Sequence, residues 1–152
     1  MPRSTRRATA VLVLATAVAV GAWEAGGASA QGADKFAARL GWVPTAGVAR
    51  VTGKGSASAT LSGKVLALTG SFEGLGGSAT IARLHQGIAK GARGRPIADI
   101  KVPLAASGTF GASITLTDEQ VEALRQGKLY LQLHADKGLD PDGANLWGWF
   151  LR

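Results

Sequence analysis

The 152-residue sequence contains no cysteine, only two histidines and a single tyrosine. Without cysteine the chain cannot form disulfides, thiolate metal sites, iron–sulfur clusters or a thiol nucleophile. Its stability must therefore come from the packing of its side chains. The sequence also shows no serine, histidine and aspartate at a spacing typical of a catalytic set, and its carboxylates cluster in a helix start and a turn. We therefore expect a binding or structural protein and not an enzyme.

Long apolar runs are missing except at the N-terminus. Three arginines within the first seven residues precede an uncharged apolar run over residues 8–22, and "ASA" at 28–30 supplies small residues for cleavage. This pattern predicts a signal peptide over residues 1–30, with the mature chain starting at Gln31. The alternative is a retained N-terminal anchor, but the run of about 15 residues is shorter than the roughly 20 that span a membrane. We expect a secreted, periplasmic or cell-surface protein without membrane contact after cleavage.

The charge of the remaining chain is mildly basic. Three of the 17 Lys and Arg residues and one of the 10 Asp and Glu residues lie in the predicted signal, which leaves 14 basic and 9 acidic residues and a net charge of +5. Such a charge is not by itself typical of a nucleic-acid-binding protein, and we expect no nucleic-acid partner. Residues 31–152 fit one domain.

Short apolar-alternating runs separated by Gly, Pro and Ser fill the mature chain. Such runs predict an all-β fold, an immunoglobulin-like antiparallel β-sandwich or barrel of about eight strands. One segment breaks the period of two: "TDEQVEALRQG" (117–127) predicts a short helix with Thr117 as N-cap, Gln120 completing a capping box and Gly127 as the stop. The predicted strands cover residues 35–40, 56–61, 64–72, 79–85, 96–102, 108–116, 128–135 and 145–151.

Three elements occur in a characteristic order: "ARLHQG" (82–87), "LTDEQVEALRQGKLYLQLHAD" (116–136) and "PDGANLWGWFL" (141–151). With them the chain resembles a chordin-type (CHRD) domain protein, specifically a bacterial stand-alone secreted member. The middle element is the most specific of the three. The residues that carry the resemblance include Leu84, His85, Gly87, Gly127, Tyr130, His134 and Gly148.

The resemblance implies an immunoglobulin-like β-barrel found in secreted or cell-surface proteins. In animal chordins such domains accompany modules that bind extracellular growth factors. For bacterial stand-alone members the resemblance implies no particular reaction. This chain also departs from the family pattern, since Arg83 stands where the first histidine of an H-x-H pair is usual. Whatever function depends on that pair is therefore in doubt here.

His85 and His134 allow two interpretations. An H-x-H pair on a strand directs both imidazoles to one face and can bind copper or zinc, so a metal-dependent, superoxide-dismutase-like enzyme using His85 and His134 is the alternative function. Arg83 weakens it, because a cation replaces one ligand. We favour no metal or other cofactor. We expect the two histidines to be neutral structural partners at one end of the barrel, partly buried and hydrogen-bonded to loop backbone.

The stretch "QGIAKGARGRP" (86–96), here called the basic loop, contains three glycines together with Lys90, Arg93 and Arg95. Glycines free the backbone to present N–H groups and the cations add attraction, so the loop is a candidate site for sulfate, phosphate or an acidic glycan. It lacks the pattern of a nucleotide-binding P-loop, and a solvated turn is the alternative. An acidic segment (136–142) follows His134 as the basic loop follows His85, and we expect the two to face each other.

Trp147 and Trp149 lie two residues apart on the last predicted strand and therefore share one face of it. The favoured interpretation is an aromatic plug in the core, because such rings bury large apolar areas. A surface pair would instead indicate a platform for a carbohydrate or another partner. That partner would be an extracellular protein or a polyanionic glycan.

Overall fold

The computed structural model describes residues 32–43, 52–138 and 143–152. The predicted signal peptide and the acidic residues Asp140 and Asp142 lie outside these residues. The elements, in chain order, are β1 (Asp34–Trp42), β2 (Lys54–Ser62), β3 (Val65–Glu73), β4 (Ala79–Gly87), β5 (Gly94–Ile100), β6 (Gly108–Thr115), α1 (Asp118–Arg125), β7 (Leu129–Ala135) and β8 (Ala144–Trp149).

All eight strands belong to one antiparallel sheet with the order β5-β4-β7-β8-β1-β2-β3-β6. The two edge strands, β5 and β6, approach each other, so the sheet curls into a nearly closed barrel. The all-β prediction and the single short helix are thereby confirmed. No strand boundary differs by more than two residues from the prediction, and β5 is the strand in which both ends shift by two, from the predicted 96–102 to Gly94–Ile100.

The barrel interior is filled from alternate positions of each strand, as the period of two requires. On β2 and β3 the inward residues are buried and nearly all of the outward ones are exposed to solvent. Leu84 of β4 is fully buried in this core, as are leucines from β3, β7 and β8. Alanines at inward positions such as Ala57 and Ala59 leave room for Phe36, Phe72 and other larger side chains in the same cluster. On β2 and β3 the inward face therefore follows directly from the alternation in the sequence.

Helix α1 closes one end of the barrel. The side chain of Thr117 accepts a hydrogen bond from the backbone N–H of Gln120, whose side chain accepts one from the backbone of Thr117, so the predicted capping box is present. Val121 and Leu124 are buried against the core. Gly127 follows the helix with a φ of 69°, a left-handed conformation that glycine adopts without strain. Within the described parts of the chain no helix has the length and apolar character needed to cross a membrane.

Candidate functional site on the outer face of β4, β7 and β8

Strand β7 is buried on both of its faces. Leu131 and Leu133 point into the core, whereas Tyr130, Gln132 and His134 alternate with them and point to the outside of the barrel. Yet Tyr130 is only 1 % exposed, Gln132 5 % and His134 2 %. Side chains outside the barrel therefore form a second layer over this part of the sheet.

Aromatic rings from three neighbouring strands make up this layer. The outer aromatic cluster consists of His85 on β4, Tyr130 on β7, and Trp147 and Trp149 on β8. The His85 ring stacks on Tyr130 with centroids 4.8 Å apart, and Trp149 lies 4.5 Å from Tyr130 on its other side. Trp147 meets both Tyr130 and Trp149 edge-on, at 5.8 and 5.9 Å. These distances fall within the range at which aromatic pairs attract each other beyond simple area burial.

The position of Trp147 and Trp149 corrects the prediction of a core plug. Leu146, Gly148 and Phe150 fill the inward positions of the last strand and its end, so the two tryptophans point outward and remain partly exposed. The physical reason is that successive side chains of a strand point to opposite faces, and only one of the two sets can face the core. Both sets of side chains are large and apolar, so the sequence did not reveal which set faces the core. The surface-pair interpretation is the one that the structure supports.

Two glycines of the family motif allow close contacts around this part of the sheet. A side chain at Gly87 would meet the Trp149 ring and the backbone of Ala92. A side chain at Gly148 would meet the backbone carbonyl of Arg39 on β1. The motif glycines therefore allow the rings and neighbouring strands to approach closely.

His85 and Tyr130 both hold Gly94, the first residue of β5. The Nδ1 atom of His85 lies 3.2 Å from the Gly94 carbonyl oxygen, in position to donate to it. The Tyr130 hydroxyl accepts from the Gly94 N–H at 3.2 Å and lies 3.4 Å from the same carbonyl. A side chain at position 94 would overlap the backbone of Gln86, so glycine is required. The end of the basic loop is thus fixed to the outer aromatic cluster.

The charge state of His85 follows from its burial. Desolvation by burial lowers the pKa of His85 below its ordinary value, the hydrogen bond with the Gly94 carbonyl raises it by less, and the electrostatic interactions with His134, Arg83 and Arg93 add to the lowering. The lowered pKa favours the neutral ring at pH 7, and its main cause is burial rather than the neighbouring cations on which the prediction depended. Its Nε2 atom is buried and has no hydrogen-bond partner within the described residues. A proton on that nitrogen would gain no acceptor.

The prediction that His85 and His134 are partners at one end of the barrel is wrong. Their strands are neighbours, as that prediction required, but β4 and β7 run antiparallel, and His85 pairs with Tyr130 whereas His134 pairs with Ile81. The two histidines point to the same outer face and lie four residues apart along the strands, roughly 13 Å at the usual rise. Arg83 and Gln132 form the row between them. His85 and His134 both lie near the C-terminal ends of their strands. The C-terminal ends of neighbouring antiparallel strands lie at opposite ends of a sheet, which the prediction overlooked.

The structure describes residues 136–138 of the acidic segment that we expected to face the basic loop. The basic loop follows β4 at one end, whereas the acidic segment starts at Asp136, beside the beginning of β4 at the other end. There the Asp136 carboxylate accepts a hydrogen bond from the Ser78 N–H at 2.9 Å. Asp140 and Asp142, on which the predicted attraction also depends, lie outside the described residues, so the attraction stays a prediction.

The basic loop instead meets the aromatic residues. The guanidinium of Arg93 lies over the Trp147 ring, 5.7 Å from its centroid, within the range of a cation–π interaction. Lys90 and Arg95 are exposed. On the opposite side of the tryptophans, the pairing of β1 with β8 brings the exposed Arg39 beside Trp149, between the pairs Ala37–Leu151 and Gly41–Trp147. Cations therefore border the tryptophan pair on two sides.

The arrangement offers poor support for a bound metal ion. Across the described ranges, no group of three or more His, Cys, Asp or Glu side chains could hold one. His85 offers one buried nitrogen, but Arg83 and Arg93 lie close enough to depress its pKa and would repel a cation in the same way. The absence of a bound copper or zinc ion remains a prediction, and binding by His85 and His134 remains the alternative.

Sequence reasoning missed two members of this surface. Arg39 and Gln132 were assigned no role in a site, and their places depend on the register between strands. One signal was present for the buried outer layer: Tyr130, Gln132 and His134 are amphipathic and alternate with three inward leucines. The pairing of His85 with Tyr130 had no such signal, because it depends on which strands are neighbours.

The fold and this surface define an eight-stranded β-module with an aromatic layer outside its barrel. The model of the CHRD domain matches residues 36–143. This range includes most of β1 and all of β2 to β7, and it ends just before β8. The chain belongs to the CHRD family, whose domains are extracellular-type modules. No curated protein and no solved structure matches the chain.

Proposed function

We propose that the chain is an exported, non-catalytic binding module of the CHRD family, directed to the outside of the cell by residues 1–30. Its binding surface is the outer face of β4, β7 and β8 together with the basic loop. The observation that carries the proposal is the position of Trp147 and Trp149, which are partly exposed outside the barrel although the core is already complete without them.

Two physical arguments support a binding role for this surface. Large aromatic rings at a surface supply much contact area at a small entropic cost, which is why such residues are enriched where partners bind. The rings are also fixed before any partner arrives, because Tyr130 contacts both tryptophans and His85. A preorganised surface loses little freedom on binding.

The proposal is tested with the mature protein, residues 31–152, and isolated envelopes of its host cell. We expect saturable association that a Trp147→Ala/Trp149→Ala variant loses while its circular dichroism spectrum stays that of a β-protein. The matched control is Trp42→Ala, because Trp42 is a tryptophan that is 65 % exposed at a different place, with its Nε1 donating to the Gly53 carbonyl. Association that survives the double substitution, or that fails equally in the control, would contradict the proposal.

The enzymatic alternative is tested on the same preparation. Protein purified without a histidine tag is analysed for copper and zinc and assayed for superoxide dismutation. We expect neither a stoichiometric metal nor activity. A stoichiometric metal that is lost in His85→Ala would replace the binding module by the metal-dependent enzyme.

A further inference from the structure

We propose that the outer aromatic cluster and the basic loop form a single binding site for an acidic carbohydrate, a polysaccharide bearing carboxylate or sulfate groups. This inference depends on the proposed function, because it names the ligand of the same surface. Two features that are 54 residues apart in the sequence, Arg93 and Trp147, meet in this site.

The tryptophans account for the carbohydrate part of the ligand. A sugar ring presents a face of C–H groups that packs against an aromatic ring, and its hydroxyls stay in contact with water or polar neighbours. Trp147 and Trp149 lie 5.9 Å apart at an interplanar angle of 68°, so they offer an angled, partly exposed surface. A surface built from aromatic rings alone would bind neutral sugars equally well.

The cations around the rings are the reason why we expect the ligand to carry acidic groups. Arg93 covers Trp147, Arg39 lies beside Trp149, and Lys90 and Arg95 are exposed on the basic loop. A guanidinium that lies on an aromatic ring is partly held in place, and guanidinium geometry matches a carboxylate or sulfate with two hydrogen bonds. The positive charge around the rings therefore selects an anionic sugar over a neutral one.

Two described acidic side chains near the basic loop have other partners. Asp99 on β5 pairs with Arg83 at 3.1 Å, and β5 is three strands away from β8, which carries the tryptophans. Glu119 belongs to α1 and accepts a hydrogen bond from Gln86 on the helix side of β4. These two acids therefore lie on β5 and on α1, whereas Arg93 lies over the Trp147 ring and Arg39 lies on the strand beside Trp149.

The hydrogen bonds of His85 and Tyr130 with Gly94, here called the clamp, explain how a loop with several glycines can form a defined site. Arg93 directly precedes Gly94, and the hydrogen bonds of Gly94 with His85 and Tyr130 fix that residue to the aromatic cluster that contains Trp147 and Trp149. The cation and the aromatic surface are therefore held in one rigid unit. Such preorganisation reduces the entropic cost of binding.

The test uses the mature protein and defined probes measured by isothermal titration calorimetry. Alginate oligosaccharides supply carboxylates and heparin oligosaccharides supply sulfates, dextran is the neutral sugar, and polyglutamate supplies carboxylates without sugar rings. We expect binding to the two acidic sugars that weakens with added salt, since exposed charges are screened over about 8 Å at physiological ionic strength. We expect dextran and polyglutamate to bind at least about tenfold more weakly than alginate.

Two variants separate the ring contribution from the charge contribution. We expect Trp147→Ala to weaken alginate binding about tenfold, and Lys90→Ala/Arg95→Ala to weaken it by a similar factor while reducing its dependence on salt. The matched control is Lys35→Ala/Lys101→Ala, which removes the same charge from exposed positions away from the basic loop. Because Trp147 is partly buried, the exposed Arg93→Ala serves as a second variant if Trp147→Ala fails to fold.

Several results would overturn the inference. Equal binding of polyglutamate would reduce the site to a charged surface, and equal binding of dextran would remove the role of the cations. Tighter binding of single-stranded DNA than of either acidic sugar would make nucleic acid the ligand. If the envelopes are bound through Trp147 and Trp149 but no acidic sugar is, the ligand class is wrong and the binding module stands. If the envelopes are not bound either, the proposed function itself fails.

Discussion

The two halves of the barrel differ in how much of their outward side chains is exposed to solvent. On β2 and β3 nearly every outward side chain is exposed, and most of these are small or hydroxylated, such as Ser58 and Thr69. On β7 every residue is buried, although Tyr130, Gln132 and His134 do not belong to the core. A single-layered barrel needs only the first pattern. The second layer over β4, β7 and β8 therefore requires a reason beyond folding, and we assign that reason to binding.

The largest effect is expected where the core itself is disturbed. Leu131 is fully buried on the inward face of β7, and Leu131→Ala should reduce the free energy of unfolding by about 2–5 kcal/mol, because it removes apolar contacts and leaves a cavity. Urea unfolding monitored by circular dichroism measures the change. A loss below about 1 kcal/mol would mean that β7 does not have the inward core face that the comparison assumes.

A smaller effect is expected in the outer layer of the same strand. Tyr130→Phe keeps the ring in the outer aromatic cluster but removes the hydroxyl that accepts from the Gly94 N–H. The unmet, partly buried donor should cost about 1–3 kcal/mol in urea unfolding. The basic loop should also become more mobile, with faster amide hydrogen exchange at Gly94. Unchanged exchange there would contradict the clamp.

The clamp also predicts a pH dependence. Burial lowers the pKa of His85 in the folded state, so the unfolded chain takes up a proton first as the pH falls. The free energy of unfolding should therefore decrease as the pH drops from the ordinary histidine pKa, about 6.5, toward the lower folded value, and then stop responding to this group. His85→Gln should remove this part of the dependence. Identical pH profiles for the two proteins would contradict a buried, neutral His85.

The smallest effect is expected on the exposed half of the barrel. Thr69→Ala on β3 should change the free energy of unfolding by no more than about 0.5 kcal/mol, because its side chain is exposed and contacts little. It should leave envelope association unchanged. A loss of association in this variant would move the binding surface to β2, β3 and β6 and would remove the distinction between the two halves.

The sequence was sufficient for the elements but not for their arrangement. The alternation of apolar residues located eight strands, and Thr117, Gln120 and Gly127 located the helix, because these signals are local. The direction in which Trp147 and Trp149 point was not predictable, since Leu146 and Phe150 offered an equally apolar alternative face. Register and strand order decide that question, and they depend on the whole sheet.

The candidate site shows the same limit. Lys90, Arg93 and Arg95 were identified as a group because they are close in sequence. The contact of Arg93 with Trp147 depends on β4 and β8 lying on either side of β7, which no local pattern encodes. The separation of His85 from His134 likewise follows from the antiparallel direction of β4 and β7.

The central claim, that the layer outside β4, β7 and β8 is the binding surface, is tested most directly by the indole N–H resonances of the mature protein. The mature chain contains three tryptophans, Trp42, Trp147 and Trp149, and each gives a separate indole signal in a ¹⁵N–¹H correlation spectrum. On titration with alginate oligosaccharides we expect the Trp147 and Trp149 signals to shift with one common binding curve while Trp42 stays in place. A spectrum in which Trp42 shifts and the other two do not would contradict the account.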